Sequence, residues 1–277
     1  MKKFSFKIET SLNNIDERRW NLCASNNKDF NPFNSYQFLK ALESSNSINN
    51  NSGWNSAYII IENKKNEAVA FVPSYLKTNS SGEYVFDYEW ANAYHRAGGQ
   101  YYPKLQISIP YTPVTGSRFL IDETYNYDEI LEYISSEIIS ICPKIDASSA
   151  HITFLTEKES QKLEKLGWLI RKDQQFHWEN KNYNTFSDFL STLSSRKRKN
   201  IKKERSKFID SDIKIEHLTK DKINDEHWDC FYKFYIDTTT RKWGQDYLKK
   251  EFFNKIGINM KNEILLIMAK KGNKYIA

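Results

Sequence analysis

From Phe4 the chain alternates apolar and polar residues, FSFKIET, and the same alternation returns at 212–218 as DIKIEHL. A period of two predicts half-buried strands. The triplets Lys7-Ile8-Glu9 and Lys214-Ile215-Glu216 within these runs stand 207 residues apart. Each run leads into a helical pattern with an acidic first turn, Ile15-Asp16-Glu17 before Trp20-Asn21-Leu22-Cys23 in one case and Asp225 to Cys230 in the other. A second amphipathic pattern follows in both, SYQFLKALE around Tyr36 and DYLKKEFFNKI around Tyr247. Then come two apolar strands around a Lys/Asn turn, YIIIENKKNEAVAFV at 58–72 and ILLIMAKKGNKYIA at 264–277. Strand, helix, helix and hairpin are written twice in one order, which reads as an internal duplication. It predicts a first domain over 1–180, a linker helix over 181–210 and a second domain over 211–277, where the chain stops inside a strand. The second copy is therefore expected to be truncated.

Between the hairpin and the linker, Phe71 to Lys77 continues the second hairpin strand and Tyr84 to Phe86 predicts a strand end. Trp90 to Arg96 predicts a short helix stopped by Gly98-Gly99, and Tyr101 to Ile109 a strand broken by Pro110 and Pro113. Tyr127 to Cys142 carries Ile130, Leu131, Ile134, Ile138 and Ile141 at helical spacing. His151 to Leu155 reads as a strand, Glu159 to Leu166 as a helix ended by Gly167, and Trp168 to Trp178 as a last strand. The class is α/β, with mixed and mostly antiparallel central sheets flanked by helices.

Composition narrows the chemistry. With 39% hydrophobic and 15% aromatic residues the chain is globular. Only 9 glycines are present and neither GxxxxGK[ST] nor GxGxxG occurs, which excludes the common phosphate-loop and dinucleotide fingerprints. Cys23, Cys142 and Cys230 are far apart and form no CxxC pair, which points to a reducing compartment. His95, His151, His177, His217 and His227 lack ligand spacing, so no metal is expected. No apolar run reaches membrane-spanning length and no apolar stretch follows MKK, so a cytoplasmic protein is expected.

Four stretches carry a family resemblance: NPFNSYQFLKALE at 31–43, GEYVFDYEWANAYHRAG at 82–98, YYPKLQISIPYTPVTGSRFL at 101–120 and TTTRKWGQDYL at 238–248. They resemble the peptidoglycan biosynthesis/recognition proteins, predicted N-acyltransferases with tandem GNAT folds related to FemAB. The resemblance covers essentially the whole chain. It implies tandem GNAT-like (acyl-CoA N-acyltransferase) domains, an acyl-CoA or aminoacyl-tRNA donor, and a small-molecule or cell-wall-precursor substrate bearing an amine. Non-catalytic recognition of peptidoglycan or an acyl ligand, and tRNA binding, are the alternatives. The usual coenzyme A fingerprint, [RQ]xxGx[GA], is absent; HRAGGQ at 95–100 has the glycines without the spacing.

Acyl transfer to an amine needs a base for the amine proton and donors for the developing oxyanion. Polar residues concentrate at 87–118. Asp87 and His95 are candidate bases, and Tyr94, Tyr101 or Tyr102 a proton relay. Arg96, Lys104 and Arg118 are candidate anion holders, with Trp90 beside them. A helix cap for Asp87, a core position for His95 and plain packing for the tyrosines are the structural alternatives. Thr239, Arg241, Lys242 and Trp243 could grip a phosphate or carboxylate against an indole, or simply end a helix before Gly244.

The net charge of +6 is concentrated, since Ser194 to Lys207 alone carries +7. A helix starting at a Thr185 cap, with Asp188 third, aligns Leu190, Leu193, Ile201 and Phe208 on one stripe and leaves Arg196, Arg198, Lys199, Lys202 and Lys203 to the other faces. This is either a solvated linker or a polyanion site for tRNA, a nucleotide-linked precursor or an anionic membrane. No aromatic residue lies within 194–207, which ranks a phosphate-bearing ligand above sequence-specific nucleic acid recognition.

Overall fold

The computed structural model describes residues 3–25, 31–85, 87–209, 211–242 and 244–277. In chain order the strands are β1 (Phe4–Glu9), β2 (Trp54–Ser56), β3 (Tyr58–Asn63), β4 (Ala68–Val72), β5 (Ser74–Lys77), β6 (Lys104–Ile107), β7 (Leu120–Ile121), β8 (Ala150–Ile152), β9 (Ile213–Thr219), β10 (Leu265–Lys271) and β11 (Lys274–Tyr275). The α-helices are α1 (Glu17–Ser25), α2 (Tyr36–Ser44), α3 (Tyr88–Arg96), α4 (Tyr127–Ile141), α5 (Glu157–Lys165), α6 (Phe186–Ser191), α7 (Ser195–Ile209), α8 (Asp225–Arg241) and α9 (Lys250–Asn259). They form two compact units, Met1–Ile170 with Ile236–Glu263, and Arg171–Tyr235 with Ile264–Ala277. The class is α/β with mixed sheets.

The first unit holds two four-stranded sheets, ordered β1-β3-β4-β7 and β2-β5-β6-β8. Only the β6–β8 pair is parallel among the described strands of these sheets. One long hairpin serves both sheets, β2 and β3 on one arm, β4 and β5 on the other. Pro73 lacks an N–H and stands where the outer neighbour changes from β7 to β6, a position at which a strand tolerates proline. The hairpin stays closed through the interruption because the Ala57 N–H donates to the Ser74 carbonyl at 2.9 Å and the Ser74 hydroxyl donates back to the Ala57 carbonyl at 2.5 Å.

Alternation along these strands builds a layer on each side. Ile59, Ile61, Val72, Leu105 and Ile107 pack with Ile130, Leu131, Ile134 and Ile138 of α4 in one core. Those four α4 residues are buried, and each contributes about 1.5–3 kcal/mol of gross apolar transfer, enough to fix the helix on the sheet. On the opposite side Trp20 of α1 meets the rings of Tyr58 and Phe71 at 6.0 and 5.0 Å. Although distant in sequence, α9 belongs to this unit: Phe252 meets Phe38 of α2 edge-on at 5.6 Å, and the Lys249 N–H donates to the Ser47 hydroxyl at 3.1 Å.

The second unit contains the antiparallel sheet β11-β10-β9 and helices α6 and α7. Along the chain β9, α8, α9 and the β10–β11 hairpin follow in the order of β1, α1, α2 and the β3–β4 hairpin, but α9 belongs to the first unit and the register differs. Lys7 lies opposite Ile60, so a constant offset of 207 would set Lys214 opposite Ile267; Lys214 lies opposite Lys270 instead. A slip by an odd number of residues exchanges the faces of a strand.

Three predicted elements change. Tyr84 adopts a left-handed φ of 56° and starts no strand, and Phe86 lies outside the described residues. The stretch Trp168 to Trp178 pairs with no strand among the described residues: Trp168 packs on the α4 core and its indole N–H donates to the Ser135 hydroxyl at 2.7 Å, whereas residues 171–178 stay exposed. The helix from Thr185 to Phe208 is broken: the Ser191 and Thr192 hydroxyls fold back on the carbonyls of Asp188 and Phe189, and α7 restarts at Ser195.

Candidate active site

Across β2, β5 and β6 the register sets Trp54 opposite Lys77 and Lys77 opposite Lys104. Their neighbours Leu76 and Leu105 face the α4 core, so alternation sends both lysines to the other face. That face is dry. Lys77 is 0% and Lys104 1% exposed, beneath the segment carrying Ser80, Glu83 and Asp87, of which the two acids are each 3% exposed. Lone buried ammonium groups are costly, and a pair of them survives only with compensating charge and hydrogen bonds.

The compensation is explicit. Lys104 Nζ donates to Glu83 Oε2 at 2.8 Å, to Asp87 Oδ2 at 2.5 Å and to Ser80 Oγ at 3.3 Å. The Tyr101 hydroxyl donates to Asp87 Oδ2 at 2.8 Å, and the Tyr102 and Ser80 hydroxyls are 2.6 Å apart. Lys77 Nζ donates to the Ser81 carbonyl at 3.1 Å and lies 3.8 Å from the centre of the Trp54 ring, whose indole N–H donates to that same carbonyl. Glu83 Oε1 and Asp87 Oδ1 are buried without a hydrogen-bond partner among the described residues.

The environments separate the two acids. Burial, outweighing the attraction of Lys104, raises the Glu83 carboxyl above its ordinary value. At Asp87 burial pulls upward too, but hydrogen bonds from Lys104, Ser80 and Tyr101 prevail and hold the carboxyl below its ordinary value. Burial brings the Lys77 ammonium down to about 7, partly offset by Glu83. Burial and the hydrogen bond to Asp87 push the Tyr101 hydroxyl up. Two carboxyls displaced in opposite senses beside an amine brought down toward neutrality are the kind of arrangement that acid–base sites use. Tyr101 and Tyr102, both half-buried, are its outlets to the surface.

Of the residues expected from sequence, Asp87, Tyr102 and Lys104 meet here, and Tyr94 joins through its ring, 6.3 Å from that of Tyr101. Asp87 stands at the start of α3 yet makes no side-chain cap; its carboxylate is taken by Lys104 and Tyr101. Helix α3 buries none of its residues, so Trp90, His95 and Arg96 are exposed beside the cluster. Arg118 is not an anion holder. It is wholly buried, and its guanidinium donates to the carbonyls of Val114, Thr153 and Ser117 at 2.7, 3.0 and 3.2 Å, which makes it a tie between loops.

The second group does not converge on a ligand position. The Thr239 hydroxyl donates to the Ile236 carbonyl at 2.9 Å and to Asp246, Arg241 pairs with Asp237 one turn back, and Lys242 is exposed. Trp243 lies outside the described residues. On α7, Arg196, Lys199, Lys202 and Lys203 are exposed, whereas Arg198 turns back toward the Ser191 carbonyl at 3.4 Å.

Over residues 11–277 the chain matches the FemAB-like family, described as peptidoglycan biosynthesis/recognition. The chain belongs to this family. No curated protein matches the FemAB-like chain. Among solved structures, glucosamine-6-phosphate N-acetyltransferase from Arabidopsis thaliana is similar at 10% identity and a TM-score of 0.36, over 64% of this chain and 99% of that one. A likeness that loose carries no argument about chemistry.

Sequence reasoning missed Lys77 and Glu83 of this FemAB-like protein. Tyr75 and Lys77 share one face of SYLK, and Lys104 and Gln106 one face of KLQI, all buried. Period two fixes that these side chains share a face, but not that the face is covered.

Proposed function

We propose that this FemAB-like chain is an N-acyltransferase that moves an acyl or aminoacyl group onto an amine of a peptidoglycan precursor, with acyl-CoA or aminoacyl-tRNA as donor. The observation that carries this reading is the buried quartet Lys77, Glu83, Asp87 and Lys104 opening through Tyr101 and Tyr102. The amine nitrogen attacks the acyl carbonyl, forming the C–N bond, and the donor's C–O or C–S bond breaks. The amine proton passes through the Tyr101 hydroxyl to Asp87, and the leaving oxygen or sulfur takes up a proton. Lys104 holds Asp87 ionised for this step, and Lys77 with Glu83 restores the proton balance near neutrality. Trp90, Tyr94, His95 and Arg96 on α3 form the surface against which the acceptor lies.

Duplication belongs to the same proposal, with 1–180 and 211–277 as GNAT-like domains and 181–210 as a basic linker. The recurring element order supports it, and the register slip of β9 on β10 counts against a strict copy. A cytoplasmic location is also proposed, supported by three unpaired cysteines. A recognition module without turnover is the second reading, favoured by Trp90 and Tyr94, which are 66% and 48% exposed on one helix.

The test supplies each donor class with amine-bearing precursors and follows release of free tRNA or thiol. Asp87→Asn and Tyr101→Phe are expected to lower turnover about 10²-fold or more while precursor binding is kept. Binding of precursor with no turnover from any donor would establish the recognition reading instead.

A further inference from the structure

The sequence places no aromatic residue inside the basic stretch, but the fold brings aromatic residues to it. Arg205 of α7 lies over the Phe186 ring at 4.2 Å. From there the contacts run on: Phe186 to Phe189 at 5.6 Å, Phe189 to Tyr183 at 5.7 Å and Phe189 to Trp178 at 6.2 Å. Trp178 and Phe186 remain 65% and 43% exposed, so the cluster shows apolar surface to solvent rather than closing a core. Capping of α6 fixes the cluster, because Thr185 and Asp188 form a reciprocal capping box that orients Phe186 and Phe189.

At 100° per residue, Arg196, Lys199, Lys202, Lys203 and Lys207 of α7 fall within one arc, every one exposed. The arc runs about 16 Å along the helix and contains no acid; Glu204 lies outside it. Arg198 and Arg205 border the arc on the side of the aromatic cluster. A straight cationic face flanked by exposed Trp and Phe matches an anionic plane with an apolar interior below it.

We propose that this unit docks on an anionic lipid surface, with the lysine-rich face of α7 on the headgroups and Trp178 and Phe186 at the interface. Three features favour a membrane over a nucleic acid strand. One face of the Phe186 ring is taken by Arg205, which leaves less of it to stack on a base. Phe189 meets Trp178 and Tyr183 edge-on, both at 72°. Four of the five cations in the arc are lysines, which act as point charges toward a diffuse surface rather than as bidentate phosphate forks. No helix of the described residues is long and apolar enough to cross a membrane, so contact would be peripheral. The inference rests on residues 178–207 and stands apart from the acyl-transfer reading.

The experiment is co-sedimentation of the full chain with vesicles of phosphatidylcholine alone or mixed with phosphatidylglycerol. Binding is expected to the mixed vesicles only, and to be lost near 1 M salt, where the screening length falls to about 3 Å. Replacing Lys199, Lys202 and Lys203 together by Ala should weaken it about a hundredfold, since each such lysine contributes about a factor of five. Lys64→Ala with Lys65→Ala, in the β3–β4 turn, should leave it unchanged, and Trp178→Ala should reduce it. Circular dichroism checks that each variant stays folded, and the salt titration of the unaltered protein needs no variant. Equal binding to neutral vesicles, no binding to either, or tighter binding of a single-stranded RNA oligonucleotide at the same salt would each overturn the proposal.

Discussion

Lys77 and Lys104 stand opposite one another on β5 and β6, and neither reaches solvent. Like charges directly across a ladder repel. The pairing persists because Glu83 and Asp87 bring two negative charges to the same interior patch, both binding Lys104.

Removing Lys104 alone should therefore be far worse than removing the whole arrangement. Lys104→Met leaves two buried carboxyls without their shared partner and is expected to cost about 3–5 kcal/mol in denaturant unfolding. Adding Lys77→Met, Glu83→Gln and Asp87→Asn to it, so that no buried charge is left, should recover most of that loss. A single variant as stable as the parent would contradict the pairing described.

Lys77 makes a pH prediction. Its folded-state value, about 7 because of burial, lies below the ordinary 10.5, so the unfolded chain binds more protons between the two. Stability then rises with pH across that window, and burial of the charge costs most below it. Relative to Lys77→Met, the parent should thus gain in thermal midpoint from pH 7 toward pH 10 (about 1.4 kcal/mol per pH unit at most). A difference that is flat or falls over this range would refute the assignment.

Phe252 tests the membership of α9. Its ring is 3% exposed and edge-on to Phe38. Phe252→Ala should cost about 3–5 kcal/mol, read by urea unfolding with a probe in the first unit such as Trp20 fluorescence. A loss below about 1 kcal/mol, the range of surface substitutions and mild trims, would place α9 outside that core.

Most elements were legible from a local pattern. For α4 five apolar residues at helical spacing sufficed, and the structure adds a cap that the pattern had not shown, Asn126, whose side chain accepts from the Asp128 and Glu129 N–H groups. Thr185 and Asp188 likewise announced the start of α6. Trp168 to Trp178 carried apolar content alone, and a strand exists only with a partner ladder; Leu169 and Phe176 end up 98% and 92% exposed. The acid–base cluster was half legible. Asp87, Tyr102 and Lys104 lie in a polar-rich segment, whereas Lys77 resembles an ordinary solvated end of a strand. What distinguishes it is the cover supplied by Ser81, Glu83 and Asp87, a tertiary fact with no local signature.

The interleaving of α9 with the first unit has a consequence for synthesis. Domains generally fold as units, earliest first, as the chain emerges from the ribosome. Here the surface formed by Phe38 and Ser47 waits for Lys249 and Phe252, which are translated only after the whole of α6, α7 and β9. Until α9 has been made, Phe38 of α2 lacks the ring that covers it in the folded protein, so closure of the first unit depends on residues encoded after most of those of the second.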